Sequence, residues 1–309
     1  MAVTAVGATG ARRPSVRLRK LEDERWLAAT LLAPTAILLG LFIAYPFFEG
    51  IMLSLSSARV GEPGTFVGLK NFFKLWHDSI FWTSVWNTFW YTAVTTVFKL
   101  ALGLWLAMLL NRHFRGKAIV RAFVLLPFII PTVLSTFAWK WMFDPTFSVI
   151  NWSLFKLGFI TQRINWLGDG DLAMASIMIV NIWRGVPFFA ISLLAGLQTI
   201  SPELNEAAAI DGARPWNRFW YVTWPLLLPV TMVVMLFSVI QTFADFQLVY
   251  VLTGGGPANA THAFATYAYQ IGVCTGLLSE GAAISLAIFP VLFFVVLVQL
   301  LYIRRVEVR

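Results

Sequence analysis

Four polar side chains interrupt an otherwise apolar run near residue 240. Ser238, Gln241 and Asp245 are spaced three and four apart, with Thr242 beside them, and on a helix that spacing puts Ser238, Gln241 and Asp245 on one face. Arg184 interrupts a second apolar run, in Asn181-Ile-Trp-Arg-Gly-Val-Pro-Phe188, where Gly185 and Pro187 loosen a helix. A charge at the centre of a bilayer costs at least about 2.5–3.5 kcal/mol. These residues are therefore expected to face a cavity, where they offer hydrogen bonds to a polar solute, or to serve as hydrogen-bonded glue between helices. Arg184 could also pair with Asp245 in a structural or gating role. Catalysis is not indicated. One Cys and three His leave little material for a metal site, and no zinc-peptidase, nucleophile-elbow or phosphate-loop pattern occurs. Gly254, Gly255 and Gly256 lack the Lys-Ser/Thr that a phosphate loop requires and read as a turn.

The elements that must carry these residues are membrane spans. Of 309 residues, 59% are apolar and 12% charged, about half the charge of an average soluble chain, which carries roughly 25%. A spanning helix needs about 20 predominantly apolar residues. Six stretches qualify, at about 26–48, 86–110, 119–143, 172–197, 225–245 (continuing toward Leu252) and 282–303. Their continuity excludes the alternating pattern of a β-barrel. Pro127 and Pro131 are expected to kink the third span.

Fifteen Lys and Arg fall in segments on one side of these spans and six on the other. Because basic loops face the cytoplasm, both termini are expected inside. Residues 1–25 read as a basic cytoplasmic tail and 26–309 as one membrane domain. The net charge of +8 fits basic loops against anionic lipid, with no nucleic acid implied. Lys99, toward the cytoplasmic half of the second span, is expected to snorkel or meet a neighbouring subunit. His77, His113 and His262 are expected at solvated surface, and Cys274 as a lone thiol.

The loop between spans four and five is more organised than a linker. In residues 201–224, Ser201 reads as an N-cap, Pro202 as the first helical residue, and Gly212 as the breaker of a short helix. Pro215 then opens a second short helix displaying Trp216, Phe219, Trp220 and Tyr221, an apolar surface that calls for a protein partner. Glu206, Ala207, Ala208, Asp211, Gly212, Ala213, Phe219, Pro225 and Pro229 match in type and spacing the EAA loop of inner-membrane permease subunits of binding-protein-dependent ABC importers, which this stretch resembles. The resemblance implies six transmembrane helices, with the loop between helices 4 and 5 acting as the coupling element at Glu206 to Ala213. It implies a second homologous permease, a cytoplasmic ATP-binding subunit dimer that alone binds ATP and Mg, and an extracytoplasmic solute-binding protein. No cofactor is implied for this chain.

Ala33-Pro34, Tyr45-Pro46, Phe66-Val-Gly-Leu-Lys-Asn71 and Leu252-Thr-Gly-Gly-Gly-Pro257, with Asn259 and Thr261, resemble the carbohydrate-uptake permeases of the maltose and glycerol-phosphate type, in particular their first permease subunit. The resemblance implies a sugar path lined by Asn181, Trp183, Arg184, Gly185 and Phe188 in span four and by Ser238, Gln241, Thr242 and Asp245 in span five. Sugars need directional donors and acceptors together with aromatic faces for ring C–H groups. A permease for glycerol phosphate or another polyol is the alternative; a secondary transporter would need more coupling carboxylates than Asp245.

Overall fold

The computed structural model describes residues 24–307, and the chain divides into two units, residues 1–52 and 53–309. The basic tail expected at 1–25 lies almost wholly outside the described residues, as does Arg309. Among the described residues every regular element is helical, apart from two isolated bridges, Ser56 to Phe66 and Arg59 to Glu62.

The first unit contributes most of α1, the apolar span Trp26–Ser54, whose hydrogen bonding widens into a π-turn at Gly40–Ala44. The second unit holds the remaining elements. In chain order these are α2 (Lys70–Trp76), α3 (Ser79–Asn111), α4 (Lys117–Ile129), α5 (Thr132–Met142), α6 (Val149–Lys156), α7 (Gly170–Thr199), α8 (Pro202–Ile210), α9 (Pro215–Phe243), α10 (Gln247–Leu252), α11 (Phe264–Tyr269) and α12 (Leu278–Glu307). Helices α1, α3, α7, α9 and α12 are each long and apolar enough to cross a bilayer.

The third expected span differs from a kinked rod. α4 and α5 meet at 91°, and together they count as one broken span or a re-entrant pair. Pro131 makes the break: it has no N–H to donate and drives Ile130 into an extended conformation (ψ 131°). Pro127 was expected to interrupt as well, yet it stays inside α4. Span five differs too. The second short helix expected after Gly212 does not stop; it runs through a π-turn at Phe219–Thr223 into the apolar helix, and the joined rod ends at Phe243.

α3 and α7 form the central pair. Gly103 allows their close approach, since a β-carbon there would collide with Cβ of Phe189. Asp78 and Asp169 cap these helices by accepting from Ile80 N (2.9 Å) and from Asp171 N and Leu172 N (3.1 Å each). Asp78 also accepts from the Tyr267 hydroxyl, which ties α11 to the start of α3.

Three apolar clusters hold the second unit. Tyr91, Met174, Ile177, Leu248 and Leu252 pack toward the N-terminal end of α7; Leu110, Phe189, Leu193, Leu197 and Leu227 pack toward its C-terminal end; Phe81, Phe243, Phe264 and Ile284 join α3, α9, α11 and α12. Between the first two clusters, α7 presents residues 181–188.

The Thr253–Pro257 segment is a built turn. Gly254 and Gly255 adopt φ of +64° and +91°, which side-chain-bearing residues rarely do. Thr253 Oγ1 lies 2.8 Å from Thr261 Oγ1, and the Thr261 hydroxyl donates to Gly256 O at 2.6 Å. Asn87 on α3 clamps the far side by donating to Ala260 O (2.7 Å) and His262 O (3.0 Å). His262 is thus buried at 3% exposure and not at solvated surface as expected, because its ring fills the space over Gly255. Burial pushes its pKa below the usual histidine value. His77 and His113 are exposed, and Cys274 is a free, exposed thiol.

Candidate functional site

The polar residues singled out near 184 and 241 converge on one cavity of about 420 Å³. On α7, Asn181, Arg184, Gly185 and Phe188 recur at three- and four-residue intervals and so share a face, and all four line the cavity. On α9, Ser238, Gln241 and Thr242 line it, and Asp245 follows at the end of the rod, where the chain breaks before α10. Trp183 does not join them. Its position belongs to the opposite face of α7, where it shares an apolar groove with Ile179, Ile182 and Val186 and sits edge-on to Trp139 at 5.5 Å.

Asp245 is held by neutral donors. Tyr91 Oη donates to Oδ2 at 2.7 Å, Asn181 Nδ2 to the same oxygen at 3.2 Å, and Leu248 N to Oδ1 at 3.3 Å. The Arg184–Asp245 ion pair considered from sequence does not form: among the described residues the one ion pair within 4.0 Å is Lys74–Glu280. Removing the hydroxyl in Tyr91→Phe leaves a half-buried carboxylate short of its shortest hydrogen bond. A loss of about 1.5–3 kcal/mol is expected, the usual range for a hydrogen bond to a charged group. Thermal unfolding of the purified protein in detergent reads it as a lower midpoint; an unchanged midpoint would mean that Asp245 does not depend on Tyr91.

Lys99 is the largest departure from expectation. It does not snorkel. It is 3% exposed, lines the cavity, and donates from Nζ to Thr242 Oγ1 at 2.8 Å. The signal was present in sequence: Thr88, Thr92, Thr95, Lys99 and Gly103 recur at three- and four-residue intervals, a small and polar stripe within α3, and all five are buried. Gly185 completes the arrangement, because a β-carbon there would overlap the Lys99 stem. Thr132, Phe246 and Gln247 also line the cavity. They reach it only because α4–α5 bends and α9 ends, which no periodicity announces. Phe128 stacks on Phe188 at 5.8 Å and 20°, giving the cavity an aromatic wall. Asn181 Oδ1, Arg184 Nε and Ser238 Oγ, on residues that line the cavity, are themselves buried without a hydrogen-bond partner, so each lacks the partner that buried polar atoms normally have.

The expected coupling loop has the predicted break with a defined geometry. Gly212 has φ +82°, Gly212 N donates to Ala209 O (3.1 Å), and Ala213 N donates to Ala208 O (2.9 Å). This is the paired C-terminal arrangement that a left-handed glycine permits. Ser201 occupies the N-cap position, but its side chain makes no capping hydrogen bond; Pro202 is at the first turn. Within α8 no residue is buried, and Ile210 is 87% exposed. Glu206, Ala207, Asp211 and Gly212 are exposed, and Ala208 and Ala213 half-buried. Beside α8, Trp216, Phe219, Trp220 and Trp224 form a contiguous aromatic cluster with ring separations of 5.1–6.5 Å.

Residues 99–308 match the family described as binding-protein-dependent transport system inner membrane component. The chain belongs to this family. It is a multi-pass inner-membrane permease component. Over 283 residues, 91% of each chain, it is 37% identical to the sulfoquinovosyl glycerol transport system permease protein of Agrobacterium fabrum. Over 278 residues, 90% of this chain and 93% of the relative, it is 34% identical to the trehalose/maltose transport system permease protein of Thermococcus litoralis. The fold is that of a solved bacterial ABC transporter involved in import of the acidic polysaccharide alginate, with a TM-score of 0.80 at 23% identity over 94% of this permease and 99% of that chain.

Proposed function

We propose that this permease is a translocating subunit of an ABC importer for a carbohydrate and works by ATP-driven alternating access. Sugar-transport permeases among its relatives support the substrate class. One structural observation supports the mechanism: α9 is a single rod from the exposed aromatic cluster beside α8 to the polar residues of the cavity. At 1.5 Å per residue its 29 residues extend about 40 Å. A displacement of α8 by a partner that carries the aromatic cluster beside it is therefore passed along one continuous helix to Ser238, Gln241 and Thr242. The cavity suits the task of holding a polyol briefly, with hydroxyl, amide and charged groups on α3, α7 and α9 and stacked rings at Phe128 and Phe188.

In this reading ATP hydrolysis resides in a separate cytoplasmic subunit dimer, which receives α8 and binds the nucleotide and Mg. A second homologous permease completes the translocation path, and an extracytoplasmic binding protein delivers the solute. Both termini of this chain face the cytoplasm, the side that carries the basic loops. Asn181, Arg184, Gly185, Phe188, Ser238, Gln241, Thr242 and Asp245 contribute to the solute path, and Glu206 to Ala213 form the coupling element. Trp183 packs beside the path.

The test is isolation of the chain from its native membrane in mild detergent after cross-linking, followed by mass spectrometry. The expected result is recovery of a second permease and an ATP-binding subunit, with ATP hydrolysis in the assembly and none in the purified chain alone. Recovery of the chain without an ATP-binding subunit would instead point to an autonomous carrier.

A further inference from the structure

The charged side chains lining the cavity are two cations, Lys99 and Arg184, and one carboxylate, Asp245. The carboxylate is already satisfied by three neutral donors, from Tyr91, Asn181 and the Leu248 backbone. Neither cation has a carboxylate within ion-pair distance, since Lys74–Glu280 is the one such pair among the described residues. Lys99 spends one donor on the neutral Thr242 hydroxyl, and Arg184 Nε is buried with no partner. A buried cation such as Lys99 without a paired counter-ion is costly, and two cations against one carboxylate in a cavity partly withdrawn from water attract an anion more strongly than the same charges would in bulk water.

The two cations are also brought together by construction. Lys99 comes from α3 and Arg184 from α7, and the Lys99 stem crosses α7 at Gly185, the residue next to Arg184, where any β-carbon would block it. This crossing brings the Lys99 stem against the residue next to Arg184, and both cations line the same cavity. Guanidinium and ammonium groups supply only donors, which suit an oxyanion. Phe128 and Phe188 on the same cavity offer apolar faces for the rest of a ring.

We infer that the cavity selects a sugar bearing an anionic substituent, a carboxylate, sulfonate or phosphate, held between Lys99 and Arg184. This inference rests on the carbohydrate-importer reading and makes Lys99 a specificity-determining residue. Asp245, fixed by Tyr91 and Asn181, then accepts from sugar hydroxyls on its free lone pairs; it acts on both cations from beyond ion-pair distance, and one carboxylate offsets two cations only in part.

The test uses the complete importer, purified with its partner subunits and without the binding protein, so that the permease cavity is read directly. Equilibrium binding of glucose, glucuronate, glucose 6-phosphate and inorganic phosphate is measured by scintillation proximity. The expected result is that glucuronate or glucose 6-phosphate binds at least about tenfold more tightly than glucose, a factor equivalent to one good charge-assisted contact. Inorganic phosphate alone binds weakly if the anion must be carried on a ring; binding as tight as that of the sugar acids would overturn the sugar part of the inference. Lys99→Met and Arg184→Gln should each collapse the acid-to-neutral ratio toward one. Lys99→Arg should preserve it, and Asp245→Asn should raise it. The ratio separates recognition from misfolding, which lowers all binding together. Equal binding of acidic and neutral sugars, a ratio indifferent to Lys99→Met, or no binding of either acidic sugar would overturn the inference. Co-purification of the ATP-binding subunit is read in the same preparations, and its absence would sink the importer reading separately.

Discussion

The importer carrying Gly212→Pro is expected to lose transport while its membrane helices remain folded. Gly212 sits at φ +82° and donates its N–H to Ala209 O. Proline fixes φ near −65° and has no N–H, so both the angle and the hydrogen bond become impossible. The following bond, Ala213 N to Ala208 O, is lost as well when the chain leaves the left-handed conformation. The native turn is therefore closed to the variant, a penalty at least as large as the roughly 3 kcal/mol proline costs inside a helix, or about a hundredfold or more in population. The damage stays local because no residue of α8 is buried. α8 therefore re-aims without disturbing the clusters around α3 and α7. Gly212→Ala keeps the N–H and carries only the strain of a left-handed alanine, about 1–2 kcal/mol, so its defect should be roughly tenfold. Solute uptake into vesicles, with thermal unfolding as the folding control, reads both variants. Normal uptake and normal recovery of the ATP-binding subunit with Gly212→Pro would remove α8 from the coupling path.

Gly255→Ala is expected to be strongly destabilising although it adds a single methyl outside the cavity. Two independent penalties meet there. The residue has φ +91°, which costs a side-chain-bearing residue about 1–2 kcal/mol, and a new β-carbon would overlap the His262 imidazole. That ring cannot retreat cheaply. It is 3% exposed, its Nδ1 lies 3.2 Å from Thr266 Oγ1, and the His262 carbonyl is clamped by Asn87. Overpacking of a filled site adds about 1–3 kcal/mol, so the total loss should be about 2–5 kcal/mol. The double variant Gly255→Ala/His262→Ala separates the terms, because it removes the collision and leaves the backbone strain. Partial recovery of the unfolding midpoint relative to Gly255→Ala is the expected result. No recovery would assign the whole cost to the backbone.

The Gly254–Gly256 turn also shows why residue type alone under-describes a motif. The glycines read from sequence as a flexible turn, yet the segment is tied to α3 through Asn87 and to Thr261 through hydroxyl bonds. Gly254 and Gly255 are there because the angle and the ring demand them. Lys99 carries a related lesson. A lysine toward the cytoplasmic half of an apolar run reads as a snorkelling residue when the run is considered alone. The polar stripe from Thr88 to Gly103 marks an inward face, and reading that stripe would have placed Lys99 inside. Trp183 fails for the same reason in reverse: an aromatic residue adjacent to Arg184 in sequence lies about 100° away from it around a helix.

The sequence by itself determined the solvent and the elements. Apolar runs of spanning length, interrupted by few charges, can only be satisfied as helices in a bilayer, and the spacing of Asn181, Arg184, Gly185 and Phe188 and of Ser238, Gln241 and Asp245 placed each set on one face. It also determined the α8 break, because a left-handed residue at Gly212 is a local requirement. The tertiary structure alone decided which faces meet. The right-angle bend at Pro131 brings Phe128 and Thr132 to the cavity, the end of α9 at Phe243 lets Phe246 and Gln247 reach it, and Gly185 opens the path for Lys99. Helical periodicity fixes the direction of a side chain around its own axis. The partner across that direction depends on where other helices bend, stop and approach, and those are properties of the packed bundle.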